Sequence, residues 1–554
     1  MTHLACYAYG VGHADEGVCL RLEIDNYRIL LDCGLKNLAS LIDNPITTAA
    51  SASPLTGIAP STVMSVAAPQ IDCVICSHAH TDHAYGLLAL HQTFPHIPIY
   101  ASHITAHLLP LNWPEQTVQN TLCQALPWRS PIEIFDRLTI EFIPAGHLPG
   151  AAAILLSYRE PHSERVMRVF YSGDFYLSNT RLATGLRLEE IRGLMPDVLI
   201  LEGSYGTQRH PHRRQQENRL MERIAQALHD QQSILLPVPT IGLGQELLFL
   251  LRSHYLFSGR NLDIWVQGLI AMGCDAYLDL ISQLPIAVQN FAQTQPLFWD
   301  EKVQPRVQRG QPPHQTEPCI VLTDAHTDLS HFCHHGQWLV LFPEATTSTV
   351  EWKSHAPTAT DPSEAIVTAE TYWLSEHSDG NTTLQLIHSL RPQHVLFVHG
   401  ASDTLADFAH LDELSSRYKI HMPQPGTLVE LPVAESAIVD TNLPETRYAG
   451  EVAETTTEIL ISLPIDFTLD PRWKSFADTG VVEAYWQDQQ LIIRGMAPTE
   501  LTSNNAGASQ LSRNCLSCQF YRNQRCNNQD SPLFQLQVTP DGYCLEFAAT
   551  DIAN

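Results

Sequence analysis

Short apolar segments alternate with turn signals through the first two hundred residues of the chain. Several carry four to six consecutive apolar residues instead of a strict alternation, which is typical of strands covered on both faces. Helix-like stretches such as HAYGLLALHQTF lie between these runs. The pattern predicts an α/β domain whose strands include VCLRLEI, YRILLDCG, IDCVICS, LTIEFIPAG, AAILLSY, VMRVFYSGDF and DVLILEG.

The pattern changes at about residue 205 and changes back after residue 375. In between, an amphipathic segment at 213–230 is followed by the buried run SILLPVP and the helix-like GQELLFLLRSHYLF, and IWVQG and CIVLTDA continue the alternation. Such an alternation of strands and helices predicts a second α/β unit. HVLFVHG then restores the first pattern, so we interpret the second unit as an insertion into the first.

These changes divide the chain into five predicted segments. Residues 431–465 carry few large apolar side chains and indicate a linker. The segments are a first domain (1–204), an inserted domain (205–375), the return of the first domain (376–432), a linker with a small mixed segment (433–510) and a cysteine-rich tail (511–554).

Composition and charge exclude several classes of protein. Apolar residues at 44% and charged residues at 16% describe a globular chain, and 554 residues suffice for more than one domain. The sequence shows neither a run of about 18 apolar residues nor a secretory signal, so we expect a cytoplasmic protein without a membrane span. The net charge of −27 argues against binding polyanions over the whole surface, but it permits binding in a local groove.

Histidine and aspartate side chains follow the apolar runs of the first domain. Each alone is as typical of a turn or a helix cap, but strand ends can gather such groups at one edge of the sheets. Imidazole and carboxylate groups are ligands that suit Zn²⁺, and seven of them fit two metals that share a carboxylate. The seven are His78, His80, Asp82, His83, His147, Asp174 and His399.

On these motifs the chain resembles the metallo-β-lactamase fold, an αβ/βα sandwich with a dinuclear site. The resemblance implies that Asp174 bridges two zinc ions and that Asp32 is a buried support for the first ligand loop. His80 stands where the di-iron flavoprotein branch of this fold carries glutamate, which favours zinc over iron. The implied ligands are His78, His80 and His147 on one zinc and Asp82, His83 and His399 on the other.

The long separation of Asp174 from His399 is similar to that in the β-CASP branch of this fold, whose known members act on nucleic acid. Glu202 in LILEGSYG, His377 in WLSEHSDG and His399 in FVHG match the three extra motifs of the branch. The similarity spans about residues 4–432. The predicted fold is therefore α/β, a metallo-β-lactamase sandwich with an inserted α/β β-CASP domain and a small cysteine-rich C-terminal segment.

Two loops differ from the β-CASP pattern. The branch usually has arginine where GLGQE carries Leu243 or Gly244, so a cationic phosphate contact is missing. The acidic TDAHTD at 323–328 replaces a glycine-rich stretch. These differences keep open a substrate other than nucleic acid.

The resemblance also implies a mechanism of phosphodiester cleavage. Two zinc ions would make hydroxide available near neutral pH, with Asp174 and Asp82 holding it. His377 would donate a proton to the leaving oxygen, and Glu202 would hold its ring. The basic residues Arg209, Arg213 and Arg214 either line a path for the nucleic-acid backbone or form a solvated helix start.

Four cysteines lie within the last forty residues of the chain. Four thiolates suffice for a closed zinc site or an iron–sulfur cluster, and zinc is the simpler expectation. Unliganded thiols are the alternative interpretation. The four residues are Cys515, Cys518, Cys526 and Cys544.

Together these observations predict a zinc-dependent hydrolase, foremost a ribonuclease that binds RNA in a local cleft. A catalytically idle RNA-binding or complex subunit and a dizinc hydrolase of a non-nucleic substrate are the alternatives. The sequence leaves open exonuclease against endonuclease action, RNA against DNA and the natural target. It also leaves the oligomeric state open, and a homodimer is compatible with the resemblance.

Overall fold

A computed structural model describes most of the first 433 residues and short segments beyond them. It divides the chain into two units, residues 1–469 and residues 470–554. The described residues are 3–13, 16–42, 69–116, 118, 122–161, 163, 165–312, 317–324, 327, 332, 336–343, 365–433, 451–454, 459–462, 482–487, 490–495, 518–522 and 525–527.

The first sheet has seven strands in the order β20-β1-β2-β3-β4-β5-β6. Its first strands pair antiparallel, and β3, β4, β5 and β6 run parallel to one another. The strand β20 pairs with β1 and closes this edge of the sheet. The strands are β1 (Leu4–Val11), β2 (Val18–Ile24), β3 (Tyr27–Leu31), β4 (Cys73–Ile75), β5 (Ile99–Ser102), β6 (Gln124–Leu126) and β20 (Leu428–Glu430).

The second sheet also has seven strands, in the order β19-β18-β11-β10-β9-β8-β7. The neighbours from β7 through β8 and β9 to β10 pair antiparallel. Strands β10, β11, β18 and β19 run parallel to one another. The strands are β7 (Ile132–Phe135), β8 (Leu138–Pro144), β9 (Ala152–Arg159), β10 (Val166–Tyr171), β11 (Val198–Glu202), β18 (His394–Val398) and β19 (Lys419–His421).

The two sheets pack face to face, and helices cover their outer faces. Strand β11 shows the consequence for its side chains: Val198 and Ile200 enter the core between the sheets, whereas Leu199 and Leu201 enter the helix-covered core. A strand buried on both faces needs apolar residues at every position, which explains the solid apolar runs of the sequence. The covering helices are α1 (Ala39–Ile42), α2 (Thr81–Ala84), α3 (Leu87–Thr93), α4 (His103–Leu108), α5 (Leu188–Ile191), α10 (Gly380–Leu390), α11 (Ser402–Ala409) and α12 (Asp412–Ser415), with a 3₁₀ turn at Leu109–Asn112.

The third sheet has six parallel strands in the order β14-β13-β15-β12-β16-β17. Its strands all lie between β11 and β18 in the chain, although β11 and β18 are hydrogen-bonded neighbours in the second sheet. The strands are β12 (Gln232–Val238), β13 (Asp263–Val266), β14 (Arg306–Arg309), β15 (Ile320–Asp324), β16 (Gly336–Pro343) and β17 (Ala365–Tyr372). Their helices are α6 (Arg213–His229), α7 (Leu243–Ser253), α8 (Gly268–Asp279) and α9 (Ile286–Thr294), with a 3₁₀ turn at Ile281–Gln283.

This arrangement confirms the predicted fold class, a two-sheet sandwich interrupted by an α/β insertion. The predicted segment 205–375 contains every strand of the third sheet. No helix in the described ranges is both long enough and apolar enough to cross a bilayer.

Short antiparallel pairs follow residue 450. The first unit contains β21 (Glu451–Glu454) paired with β22 (Ile459–Ser462). The second unit contains β23 (Val482–Gln487) paired with β24 (Gln490–Gly495), and β25 (Tyr521–Arg522) paired with β26 (Arg525–Cys526).

The predicted metal site of the cysteine tail lies largely outside the described residues. Cys515 and Cys544 are not described, and Cys526 ends β26. Cys518 is half-buried, and its carbonyl accepts a hydrogen bond from the Tyr521 amide at 3.1 Å. The tail site therefore stays a prediction.

Candidate metal centre

The loop that carries the first ligands is held by the carboxylate of Asp32. Strands β3 and β4 are parallel neighbours. Asp32 directly follows β3, so it lies beside the start of the ligand loop, which follows β4. Asp32 is completely buried and has a φ of 58°. Its oxygens accept hydrogen bonds from the Ser77 amide at 2.6 Å, the Ser77 hydroxyl at 2.7 Å, His83 Nδ1 at 2.8 Å and the Tyr171 hydroxyl at 2.6 Å. This confirms Asp32 as the buried support of the loop.

The same loop passes in contact with Gly34. A Cβ atom at this position would lie 1.6 Å from the carbonyl oxygen of Asp82. Only glycine lacks that atom, so the sequence LLDCG supplies both the acceptor and the space that the ligand loop needs.

Three histidines and Asp174 converge in a first group. The possible ligand atoms of His78, His80, His147 and Asp174 all lie within 4.8 Å of one another. His80 Nε2 donates to the carbonyl of Ile241 at 3.1 Å, and His147 Nδ1 donates to the carbonyl of Glu376 at 3.0 Å. These bonds leave lone pairs on the nitrogens that face each other, His80 Nδ1 and His147 Nε2, which are 3.0 Å apart. Two facing lone pairs repel, and a cation placed between them removes the repulsion.

A second group forms beside it from Asp82, His83 and His399. His399 Nε2 lies 3.1 Å from Asp82 Oδ2, and His83 Nε2 lies 3.2 Å from Asp174 Oδ1. The other oxygen of Asp174, Oδ2, lies 3.5 Å from His78 Nε2 in the first group. Asp174 therefore faces both groups, which is the position that a bridging carboxylate requires.

Buried atoms without hydrogen bonds test whether the groups fit metal ions. Among the described residues, His78 Nε2, His83 Nε2 and Asp174 Oδ1 are buried and make no hydrogen bond. Leaving a buried polar atom unpaired costs roughly 1–3 kcal/mol, and these three atoms of the two groups are among several such atoms in the described residues. The donor set of imidazole nitrogens and carboxylate oxygens fits a pair of Zn²⁺ ions.

The electrostatics differ between the histidines of the two groups. Burial lowers the pKa of His78 and, together with His377, lowers the pKa of His147 to about 3, which keeps both rings in the neutral, metal-binding form. At His83 burial also opposes charge, but Asp174 and Asp32 outweigh it and raise the pKa to about 10. Asp174 and Asp32 thus place negative charge on both sides of the His83 ring.

Glu202 and His377 form a hydrogen-bonded pair at the edge of the two groups. His377 Nδ1 lies 2.8 Å from Glu202 Oε2, and the other carboxylate oxygen accepts from the amide of Phe175 at 2.8 Å. Burial opposes ionisation of both groups, but their mutual attraction lowers the pKa of Glu202 to about 2 and raises the pKa of His377. The side chain of His377 is 20% exposed, so this proton carrier can be reached from outside.

The segment that carries His377 is held by helix α6 of the inserted unit. The amide of Ser375 donates to Gln216 Oε1 at 2.8 Å, and its carbonyl accepts a hydrogen bond from the Arg213 guanidinium. Arg213 is only 4% exposed and also pairs with Glu217 at 3.4 Å and with Glu246 at 3.3 Å. This burial contradicts the prediction of Arg213 as a substrate contact, because its donors are used to hold the Ser375 segment.

The other predicted backbone contacts, Arg209 and Arg214, are exposed on the surface.

Three groups that support the site were not predicted from the sequence. One is the Ser204 hydroxyl, which lies 2.9 Å from His399 Nδ1 and donates to Glu202. The other two are the carbonyls of Ile241 and Glu376, which accept from His80 and His147. The position of Ser204 two residues after Glu202 is a signal that could have indicated it. A main-chain carbonyl leaves no signal in a sequence.

Comparison with known proteins adds evidence on this site. A family model described as a beta-lactamase superfamily domain matches residues 27–236, and one described as a Zn-dependent metallo-hydrolase RNA specificity domain matches residues 367–423. The chain is 43% identical over 565 residues to an uncharacterised protein of Synechocystis sp., covering 99% of this chain and 97% of that protein.

Two more distant relatives are named as RNases. An RNase J-like protein of Methanocaldococcus jannaschii is 28% identical over 293 residues, which are 50% of this chain and 61% of that protein. The RNase aCSPSF2 of Saccharolobus solfataricus is 23% identical over 394 residues, which are 64% of this chain and 74% of that protein.

The Asp32 network leads to a first prediction. Asp32→Ala leaves four donors without an acceptor, so we expect a loss of about 3 kcal/mol in the free energy of unfolding and weaker metal retention. Denaturant unfolding and elemental analysis measure the two effects. Asp136→Ala is the matched control, because that side chain is 78% exposed. Equal stability and metal content in both variants would show that Asp32 does not support the loop.

Proposed function

We propose that this chain, which belongs to the β-CASP branch of the metallo-β-lactamase hydrolases, is a zinc-dependent ribonuclease that hydrolyses phosphodiester bonds. The observation that carries the proposal is the position of the Glu202–His377 pair beside Asp174, whose two oxygens face His78 of one ligand group and His83 of the other. This arrangement would combine a metal-binding cluster with a proton donor, the ring of His377, whose Nδ1 lies 3.9 Å from Asp174 Oδ2.

Each ligand group is proposed to hold one zinc ion, with Asp174 shared between them. His78, His80 and His147 would hold one ion, and Asp82, His83 and His399 the other. When bound, a zinc pair supplies Lewis acidity and lowers the pKa of water to about 7. The residues themselves contribute orientation, since His83 is fixed by Asp32 and His147 by the Glu376 carbonyl.

His377 is proposed to protonate the leaving oxygen. Its Nδ1 is engaged by Glu202, which leaves Nε2 as the nitrogen that can transfer a proton. Glu202 raises the pKa of His377 and so keeps the ring charged near neutral pH. Glu202 acts through His377 and is therefore a positioning residue.

RNA is the proposed substrate, bound in a local cleft. The region that matches the RNA specificity domain contains both His377 and His399, and two relatives are named as RNases. Arg209 and Arg214 are exposed and available for backbone phosphates.

The described free cysteines, including Cys6, Cys19 and Cys73, are consistent with a reducing compartment, so we propose the cytoplasm.

Incubation with 5′-labelled single-stranded RNA, with and without a chelator, tests the proposal. Cleavage that the chelator abolishes and added zinc restores is the expected result. RNA binding without cleavage would instead identify a binding subunit. Neither binding nor cleavage, with hydrolysis of a small phosphodiester, would identify a hydrolase of another substrate.

A second prediction concerns metal content. The purified protein is expected to hold about two zinc ions in this centre, and His78→Ala is expected to lose one of them. Asp174→Ala removes the shared carboxylate, so both ions are expected to bind weakly. Elemental analysis after gel filtration measures the ratio, with His229→Ala, an exposed histidine outside the site, as the control. Less than one metal per wild-type chain would contradict the assignment.

A third prediction separates proton donation from metal binding. His377→Ala is expected to retain its zinc and to cleave RNA ~10²–10⁴-fold more slowly, the usual contribution of a general acid. Bis(p-nitrophenyl) phosphate has a leaving group that needs no proton, so its hydrolysis is expected to fall far less. Equal losses on both substrates would contradict proton donation, and loss of zinc would make His377 a ligand.

A further inference from the structure

A wide cleft of about 1210 Å³ lies beside the segment that carries His377. Its walls come from residues 177–189, which follow Asp174 in the chain, from the start of α6 and from the end of α7. Small-molecule pockets typically measure ~300–1,000 Å³, so this open cleft fits an extended ligand better than a compact one.

The cleft has a positive lining on a strongly acidic protein. The lining includes two carboxylates, Glu189 and Glu217, and four arginines, of which Arg213 is also paired with Glu246 outside the cleft: Arg181, Arg187, Arg213 and Arg214. Glu217 is already engaged, by Arg181 at 2.9 Å and by Arg213 at 3.4 Å. The chain as a whole has a net charge of −27, so the exposed arginines of the cleft differ in sign from the overall charge. Such a local reversal concentrates an anionic ligand in the cleft.

Two of these arginines are free to contact a ligand. The side chain of Arg187 is 60% exposed, and its recorded partner, Glu190, is 3.7 Å away and is shared with Arg129. Arg214 is exposed at the start of α6. Two exposed guanidinium groups in one cleft suit contacts to the phosphates of a chain.

An exposed aromatic ring completes the cleft. Tyr255 is 75% exposed, and its ring lies 4.6 Å from the ring of His254. A positive groove combined with an accessible aromatic side chain is typical of surfaces that bind single-stranded nucleic acid, because the phosphates meet cations and a base stacks on the ring.

We propose that this cleft is a second contact surface for single-stranded RNA, with phosphates held by Arg187 and Arg214 and a base stacked on Tyr255. The inference rests on the proposed function, which it extends from the reacting bond to the flanking RNA. Arg213 links the two regions, because it lines the cleft and holds the Ser375 carbonyl two residues before His377. An RNA strand in the cleft therefore lies against the wall that supports the proton donor.

Binding of a cleavage-resistant phosphorothioate RNA of about 20 nucleotides to the zinc-loaded protein tests this proposal. Fluorescence anisotropy between 50 and 200 mM salt gives the salt dependence of the affinity. Each phosphate contact on a single strand contributes about 0.7 to the logarithmic slope, so Arg187→Ala with Arg214→Ala is expected to lower it by about 1.4. Tyr255→Ala is expected to weaken binding by about 5- to 100-fold with an unchanged slope.

The control variant is Arg137→Ala with Arg159→Ala, one arginine in the turn before β8 and one at the end of β9, neither of which lines the cleft. An unchanged slope and affinity in the cleft variants, with RNA still cleaved by the wild type, would overturn this inference and leave the proposed function standing. A wild type that neither binds nor cleaves RNA would overturn both. Binding of poly-glutamate that depends on Arg187 and Arg214, with RNA affinity unaltered, would reassign the cleft to an acidic protein segment.

Discussion

Four hydrogen-bond donors converge on the buried carboxylate of Asp32, and the geometry of the metal centre depends on that convergence. The donors come from the ligand loop, through Ser77 and His83, and from the second sheet, through Tyr171. A buried carboxylate is stable only when it is hydrogen-bonded, so the two sheets and the loop must keep this arrangement together. Because His83 Nδ1 points to Asp32, its Nε2 must face Asp174.

The inserted domain supplies hydrogen-bond partners to side chains and backbone of the site in the two-sheet sandwich. The carbonyl of Ile241, after β12, orients His80, and Arg213 and Gln216 of α6 hold the backbone of Ser375. The imidazole and carboxylate groups thus lie in a shell of partners drawn from both parts of the chain. Such partners determine which ring nitrogen carries the lone pair, and hence which atoms can bind a metal.

A chain of net charge −27 still has groups near the candidate centre that would favour the proposed RNA substrate. Carboxylates that would repel a phosphate are engaged near the centre: Glu202 with His377, and Glu246 and Glu217 with Arg213. Metal ions would add positive charge at the centre, and the arginine-lined cleft adds it alongside. Attraction over a Debye length of ~8 Å therefore depends on these local groups rather than on the overall charge.

The candidate ligands that converge in the structure and the insertion could be predicted from the sequence, since each candidate follows an apolar run, and strand ends meet at one edge of a sheet. Asp174 and His399 are separated by more than two hundred residues, yet each can be recognised from the apolar run that directly precedes it. Long-range packing decided the rest. The burial of Arg213 depends on where α6 meets Glu246 and Ser375, and the orientation of His80 depends on a main-chain carbonyl of the insertion. Only the tertiary structure determines such contacts, because a basic residue at a helix start has the same local pattern whether it is buried or exposed.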